Sequence, residues 1–576
     1  MTNRERVWLT GIVAAVVVVT AAWFWPSVGG QFLFWDDDIY LAELQQDRGV
    51  GWAFTTIRPF YYHPLTWLSY FFDQRVAGID PRQFHITNVV LHAANAGIVV
   101  VLAWLVGGAC GMTGPNRLIL AGGVGLVFGL HPLQVEPVAW VAERKTMLCA
   151  LFSFATVCAY LRGWPRSERG WRLATVGLFA GALMAKPAAV TLPMVLLLLD
   201  FYPLDRYRDG RWISLLREKM PLLLLSAGSA LLTILAQHAD EAMVEWQGHG
   251  VVARGLTAAR GMVFYVWKLA WPAWLSPFYP LGRTITFADK EFVFALAVCV
   301  VVTAIVVVLR RRWPVLLAAW GAYVLLVLPT SGLGQAGSQT VADRFAYLAM
   351  VPVLLLAGAG VLALARRLPV VGRVVLMCLV AGWIVFVARQ ARAQIPVWQN
   401  TEVMWRKVLQ HYPRSGIAYA NFALELMRQQ RVEEAWPFVV DSVFELQPDH
   451  PATRQAALAL LESQVRARAF ERAAPVARRL AEVQPENADA RAMNGLILLK
   501  TGQPEQAAAE LAAAIRLKSG LVAARYNLAC AYVQLGRLPE ARDALRTLIA
   551  KHPDMRTPAR ADAALAPLRA AFPDDF

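Results

Sequence analysis

The sequence predicts an all-α protein in two parts, a polytopic membrane helix bundle followed by a solenoid of paired helices. Three observations carry this. The 576 residues are 57% hydrophobic and only 17% charged. Their apolar residues gather into about eleven runs before residue 390, most of them near the roughly 20 residues a helix needs to cross a bilayer. Beyond Pro396 the composition turns to Ala, Arg, Glu, Gln and Leu, and residues recur at a fixed spacing. Pro485, Ser519 and Pro553 stand 34 apart, as do Gly502 and Gly536, Ala507 and Ala541, and Arg491 and Arg525.

The expected spans are 7–25, 87–106, 118–133, 146–161, 172–186, 188–201, 220–237, 291–309, 314–330, 346–365 and 370–388. The first opens after Arg4 and Arg6 and closes on Trp23, Phe24 and Trp25. These bulky residues, with no small-residue cleavage site, favour an uncleaved span over a signal peptide. Cytoplasmic loops carry an excess of Lys and Arg. Arg162, Arg166, Arg169 and Arg172 form one basic cluster, and Arg206, Arg208, Arg211, Arg217 and Lys219 a second. Arg310 to Arg312, and Arg366, Arg367 and Arg373, supply two more. All fall on one side if the N-terminus is cytoplasmic. The expected location is therefore a bacterial inner (cytoplasmic) membrane, with the repeats in the periplasm. Residues 256–275 are apolar and aromatic but hold Arg260, Lys268 and Pro272. A crossing there would reverse the side of Arg310 to Arg312, so this segment is expected to be re-entrant or interfacial.

The 34-residue spacing is the period of tetratricopeptide repeats (TPRs), in which small residues let paired helices approach and Gly ends the first helix. Residues 1–392 are assigned to the membrane domain, 393–556 to about four repeats and 557–576 to a capping helix. Pro413 and Pro448 bracket a degenerate first unit with Ala418, Ala435 and Leu446, and 448–484 make a second. Such a stack presents a concave face to a partner. Its plainer role is a spacer.

The net charge of +15 raises nucleic-acid binding as a class. The distribution excludes it, because the basic residues sit largely in short loops between apolar runs. Six cysteines without a CxxC fit neither a disulfide framework nor a zinc site. There is no GxGxxG unit, P-loop or HExxH. No cofactor and no metal ligand set is expected.

The stretch Phe32-Leu33-Phe34-Trp35-Asp36-Asp37-Asp38-Ile39-Tyr40 follows the first span almost at once. Adjacent carboxylates beside a membrane are costly unless water, a cation or a substrate meets them. Other polar groups are expected on the same side. His85, Asn88, His92 and Asn95 are spaced to share one helix face. Hydrogen bonding within the bundle explains such a stripe, with His85 and Asn88 the pair nearest the surface. After His131-Pro132, helical spacing puts Glu136, Trp140 and Glu143 on one face. Arg144, Lys145, Lys186 and Arg344 then stand at outer mouths, against the usual charge bias. Each alone reads as a salt bridge or a snorkelling side chain. Together, near carboxylates, they suit an anionic ligand such as phosphate. A lipid-linked phosphosugar fits this combination. One carboxylate accepts the proton of an acceptor hydroxyl that attacks the anomeric carbon, and cations stabilise the departing phosphate.

The acidic pair, His63-Pro64-Leu65-Thr66-Trp67-Leu68-Ser69, His85-x-x-Asn88-x-x-x-His92-x-x-Asn95, His131-Pro132 with Glu136, Ala142-Glu143-Arg144-Lys145, Ala185-Lys186-Pro187 and Ala342-Asp343-Arg344 resemble a known set in the same order. They look like bacterial relatives of the transmembrane-and-TPR-containing protein O-mannosyltransferases. The resemblance covers nearly the whole chain. It implies a type C glycosyltransferase fold, a polyprenyl-phosphate sugar donor, a protein or glycan acceptor met by the TPRs, and chemistry in the first outer loop. By analogy Asp36 and Asp37 are the catalytic pair. Arg144, Lys145, Lys186 and Arg344 then bind donor phosphate, and His63, His85, Asn88, His131, Glu136 and Glu143 line the substrate site. Asp38 departs from the pattern, which leaves open which Asp is the base. A non-catalytic membrane-anchored TPR scaffold is the alternative, and a transporter with polar groups along a midplane path is a third.

Overall fold

The computed structural model describes residues 2–46, 48–57, 62–207, 212–239, 250–281, 285–333 and 339–575. Arg208 and Arg211 of the second basic cluster lie outside the described residues. The chain divides into two compact units, Met1–Val408 and Leu409–Phe576.

The first unit runs α1 (Asn3–Phe24), α2 (Asp37–Leu44), α3 (Val50–Thr55), α4 (Pro64–Ala77), α5 (Pro81–Ala109), α6 (Gly114–Leu130), α7 (Val135–Ala139), α8 (Arg144–Gly163), α9 (Arg169–Ala185), α10 (Leu192–Phe201), α11 (Trp212–Glu218), α12 (Met220–Ala239), α13 (Val251–Ala270), α14 (Lys290–Val308), α15 (Pro314–Val327), α16 (Ala346–Arg367), α17 (Val370–Gln394) and α18 (Thr401–His411). Local sequence sets the starts. Thr2 and Glu5 form a capping box on α1, satisfying donors that have no partner inside the helix. Proline occupies the first turn of α4, α5, α6 and α15, where its missing N–H costs nothing. Glycine brings α1, α5 and α6 together. A Cβ on Gly125 would overlap Val100, and one on Gly129 would overlap Thr20.

Every one of the eleven expected spans forms a helix. Among the described residues, six helices are long and apolar enough by length and composition to cross a membrane, and up to eight if each bent pair is one span. The count of eleven therefore rests on shorter helices such as α10 and α15. The protein is a multi-pass membrane protein. Segment 256–275 is the second half of α13 and the irregular stretch after it. Arg254, Arg260 and Lys268 keep α13 out of the spanning set.

The first unit runs past the expected boundary at residue 392 because Trp398 and Trp405 are buried in it. Trp398 stacks on Trp140 at 5.8 Å, and Trp405 lies 5.3 Å from Trp35. A short antiparallel pairing joins β1 (Tyr279–Pro280) to β2 (Gln339–Val341), with Tyr279 opposite Val341.

The second unit is four helix pairs: α19 (Gly416–Arg428) with α20 (Val432–Asp441), α21 (Pro451–Arg466) with α22 (Phe470–Val483), α23 (Ala488–Lys500) with α24 (Pro504–Leu517), and α25 (Val522–Gln534) with α26 (Leu538–Lys551). Ala507, Leu511, Ala529, Ala541, Leu545 and Leu548 are buried in one continuous core. The expected capping helix is instead two short ones, α27 (Arg556–Ala561) and α28 (Ala566–Ala571). Asp562 breaks them apart by accepting from the Ala564 N–H, and the Tyr526 hydroxyl donates to its carboxylate at 2.6 Å.

Candidate active site

Asp36 is the N-cap residue of α2, and Asp37 and Asp38 form its first turn, where carboxylates favour the helix dipole. Their surroundings differ. Asp38 is exposed, Asp36 half-buried and Asp37 buried. Both oxygens of Asp37 are occupied. Oδ2 accepts from the Leu33 N–H at 2.8 Å and Oδ1 from the Ala142 N–H at 2.7 Å. Asp37 thereby ties the acidic loop to the turn before α8. Burial pushes its carboxyl up to about 7, against the pull of those two N–H donors. Among the described residues no side-chain hydrogen bond or ion pair fixes the Asp36 carboxyl. Burial raises its proton affinity, while the nearby charges of Lys145 and Arg344 lower it.

Lys145 and Arg344 belong to a buried cluster centred on Glu143. The Glu143 carboxylate meets Lys145 Nζ at 3.3 Å, Lys186 Nζ at 3.1 Å and Arg344 Nε at 3.3 Å. The Thr146 hydroxyl donates to it, and Lys186 Nζ donates to Thr146 Oγ1 at 2.8 Å. Glu136 pairs with the Arg344 guanidinium and accepts from its backbone N–H at 2.9 Å. Lys145 Nζ also donates to the Ala142 carbonyl at 2.7 Å and to the Tyr40 hydroxyl at 3.4 Å. Five elements thus converge on one place: the acidic loop, α7, the start of α8, the α9–α10 corner and the start of α16.

Four expected site residues, Arg144, Asn88, His131 and His85, are not brought into this cluster. Arg144 points elsewhere. It pairs with Asp73 at 2.5 Å and donates to Asn88 Oδ1 at 2.8 Å, the Phe84 carbonyl at 2.7 Å and the Ser69 carbonyl at 3.2 Å. Its N–H groups are committed to bracing α4 against α5. Asn88 completes that brace by donating to the Val138 and Trp140 carbonyls. His131 donates to the Leu269 carbonyl at 3.1 Å and accepts from the Leu133 N–H. His85 is buried against Gly30, where an added Cβ would stand 3.0 Å from its Nε2. His63 lies closer, stacked on Trp67 and 5.8 Å from the Tyr40 ring. His92 and Asn95 both bond the Tyr347 hydroxyl. The stripe is an interhelical fastening. Glu136, Trp140 and Glu143 do not share one helix face either. Trp140 is extended between α7 and the turn 141–143, and both glutamates reach the site because the chain breaks there.

Sequence reasoning missed Asp73, Tyr40 and Thr146 in these roles. A lone Asp within the apolar run of α4 was the available signal for Asp73. The three-residue spacing from Glu143 was the signal for Thr146.

Aromatic rings cover the site. Trp35 stacks on Trp140 at 4.6 Å with planes 12° apart, and Phe278 meets Trp35 edge-on at 5.9 Å. The Arg344 guanidinium lies over Trp140, 5.3 Å from its centroid.

The chain is 28% identical over 199 residues to mouse (Mus musculus) protein O-mannosyl-transferase TMTC2, an alignment covering 33% of this chain and 22% of that one. It is 24% identical over 483 residues to human (Homo sapiens) protein O-mannosyl-transferase TMTC4, covering 73% of this chain and 64% of that one. These relatives are protein O-mannosyl-transferases. The chain thus spans less than two thirds of their length. Residues 466–548 match the family model for anaphase-promoting complex, cyclosome, subunit 3, and 526–572 match a tetratricopeptide repeat model. A solved TPR protein, YrrB, described as having an unusual peptide-binding site, is 20% identical, with a TM-score of 0.24 over 30% of this chain and 93% of that one. The repeat assignment rests on the tetratricopeptide match and on the helix pairs themselves.

Proposed function

We propose that this chain is a membrane glycosyltransferase that moves a sugar from a polyprenyl-phosphate donor to a protein or glycan acceptor on the non-cytoplasmic side. The observation that carries this reading is an unanchored carboxylate, Asp36, beside a cation cluster that no annular lipid requires. Asp36 accepts the proton of the acceptor hydroxyl as its oxygen forms a bond to the anomeric carbon. The bond from that carbon to the phosphate oxygen breaks, and the phosphate leaves with the electron pair. Lys145, Lys186 and Arg344 gather around Glu143, and their charge stabilises the leaving group. A single displacement inverts the anomeric centre. Asp37 positions the loop, and the TPR unit receives the acceptor. Mannose, from the relatives' names, is the first sugar to test.

One observation favours the scaffold reading. Glu143 already engages all three cations, as in a cluster that serves only to hold helices together. The two readings separate in one experiment. Purified protein is given radiolabelled polyprenyl-phosphate sugars, mannose first, together with periplasmic extract. Label in protein or glycan is expected. No transfer from any donor of the panel would favour the scaffold.

A further inference from the structure

Away from the charge cluster, the first unit carries an aromatic edge that the reaction above does not use. Trp267, Trp271 and Trp274 are 60%, 51% and 80% exposed. Trp267 lies in the last turn of α13 and Trp271 caps its C-terminus, donating its backbone N–H to the Trp267 carbonyl. Trp271 stacks on Phe386 of α17 at 4.9 Å, and the Trp383 indole N–H donates to the Ala270 carbonyl at 2.9 Å. Helix α17 is only 6% buried over its apolar window, so the edge adjoins a lipid-facing surface. Trp23 of α1 donates to the Ala388 carbonyl of α17, which puts this edge at the end of the bundle where α1 leads into the acidic loop.

Trp274 differs from an ordinary interfacial tryptophan. Its φ is +60°, a left-handed conformation that is costly for a non-glycine residue. Lys268 holds it there, donating to the Ala273 carbonyl at 2.5 Å and the Trp274 carbonyl at 3.4 Å. Four residues on, Phe278 is buried and packs on Trp35, the neighbour of Asp36. Four residues of chain reach at most about 14 Å. A left-handed backbone thus presents a large exposed ring within one short segment of the residue that packs on the acidic loop.

We propose that Trp267, Trp271 and Trp274 form the docking edge for the polyisoprenoid chain of the donor, with Trp274 holding the part nearest the phosphate. The proposal rests on the lipid-linked donor of the preceding section. It commits to the isoprenoid rather than to bulk phospholipid because the strained ring is continuous with the site, whereas Trp25, 55% exposed at the end of α1, sits on an ordinary helical turn.

The test is binding to purified full-length protein in detergent, with two probes: a long-chain polyprenyl monophosphate and a short isoprenyl monophosphate. Trp274→Ala is expected to weaken the long probe about tenfold, equivalent to about 1.4 kcal/mol, and to leave the short probe unchanged. Trp274→Gly, which suits the left-handed backbone, should give the same loss from a fold at least as stable. Trp25→Ala should change neither. Equal loss for both probes, no loss for the long one, or the same loss in Trp25→Ala would overturn the proposal while leaving the donor reading intact. Wild-type protein that binds neither probe would overturn the donor reading and this proposal with it.

Discussion

At the scale of single residues, Asp36 and Asp37 show how neighbours in sequence receive different tasks. Adjacent side chains point in different directions, so one lies near the charges of Lys145 and Arg344 without pairing while the other ties down backbone. Asp37 accepts two N–H groups only while unprotonated, and burial brings its carboxyl up to about 7. Its folded proton affinity lies above the ordinary 3.8. Between about pH 4 and 7 the folded protein therefore holds a proton that the unfolded chain has lost, and this group's contribution to stability falls as pH rises. Loop positioning runs the other way, because the ionised form makes both bonds. Transfer should thus rise with pH through about 7, and Asp37→Asn should lower the plateau and flatten that rise in a pH–rate profile. Arg144 gives a second prediction. Arg144→Ala strands the buried Asp73 carboxylate and should cost about 3–5 kcal/mol of stability, whereas Arg144→Ala with Asp73→Ala should cost less than the single change. Thermal unfolding in detergent measures both. An Arg144→Ala protein that unfolds like wild type but fails to use donor would return Arg144 to the phosphate site.

At the scale of elements, the four repeat pairs differ at one position. The residue that ends the first helix adopts a left-handed conformation in each: Gln430 at φ +65°, Arg468 at +57°, Gly502 at +77° and Gly536 at +72°. Only glycine takes this conformation without steric cost. Gln430→Gly or Arg468→Gly should stabilise the TPR unit by roughly 1 kcal/mol, less the entropy glycine adds to the unfolded chain. Chemical denaturation of the unit would read this as a higher midpoint, and an unchanged or lower midpoint would contradict it. The same position explains what was legible. Gly502 and Gly536 announced the last two repeats, while Gln430 and Arg468 hid the boundaries of the first two. Helices were legible throughout, because eleven apolar runs and a 34-residue period are long signals. The break at Trp140 was not, because helical spacing over Glu136, Trp140 and Glu143 looks regular until the packing of Trp140 between Trp35 and Trp398 overrides it.

At the scale of the whole molecule, sequence and fold agree on a membrane unit and a repeat unit, and the site residues that converge come from positions 36 to 344. Sequence named Lys145, Lys186, Arg344, Glu136 and Glu143 from their motifs, but it could not separate Arg144 from Lys145. That distinction depends on which way the first turn of α8 faces, and Asp73, a residue with no motif, decides it. The basic loops lead us to expect the repeats outside the cytoplasm. Alkaline phosphatase fused after Arg414 should be active, as an exported reporter is, and an inactive fusion in a stable protein would reverse the sidedness. We propose Asp36 as the base of a lipid-linked sugar transfer. Its most direct test is the turnover of purified protein with polyprenyl-phosphate mannose, comparing wild type with Asp36→Asn and Asp38→Asn. A fall of about a hundredfold or more is expected for Asp36→Asn, with Asp38→Asn near wild type. Full activity in Asp36→Asn, or activity abolished by Asp38→Asn alone, would contradict it.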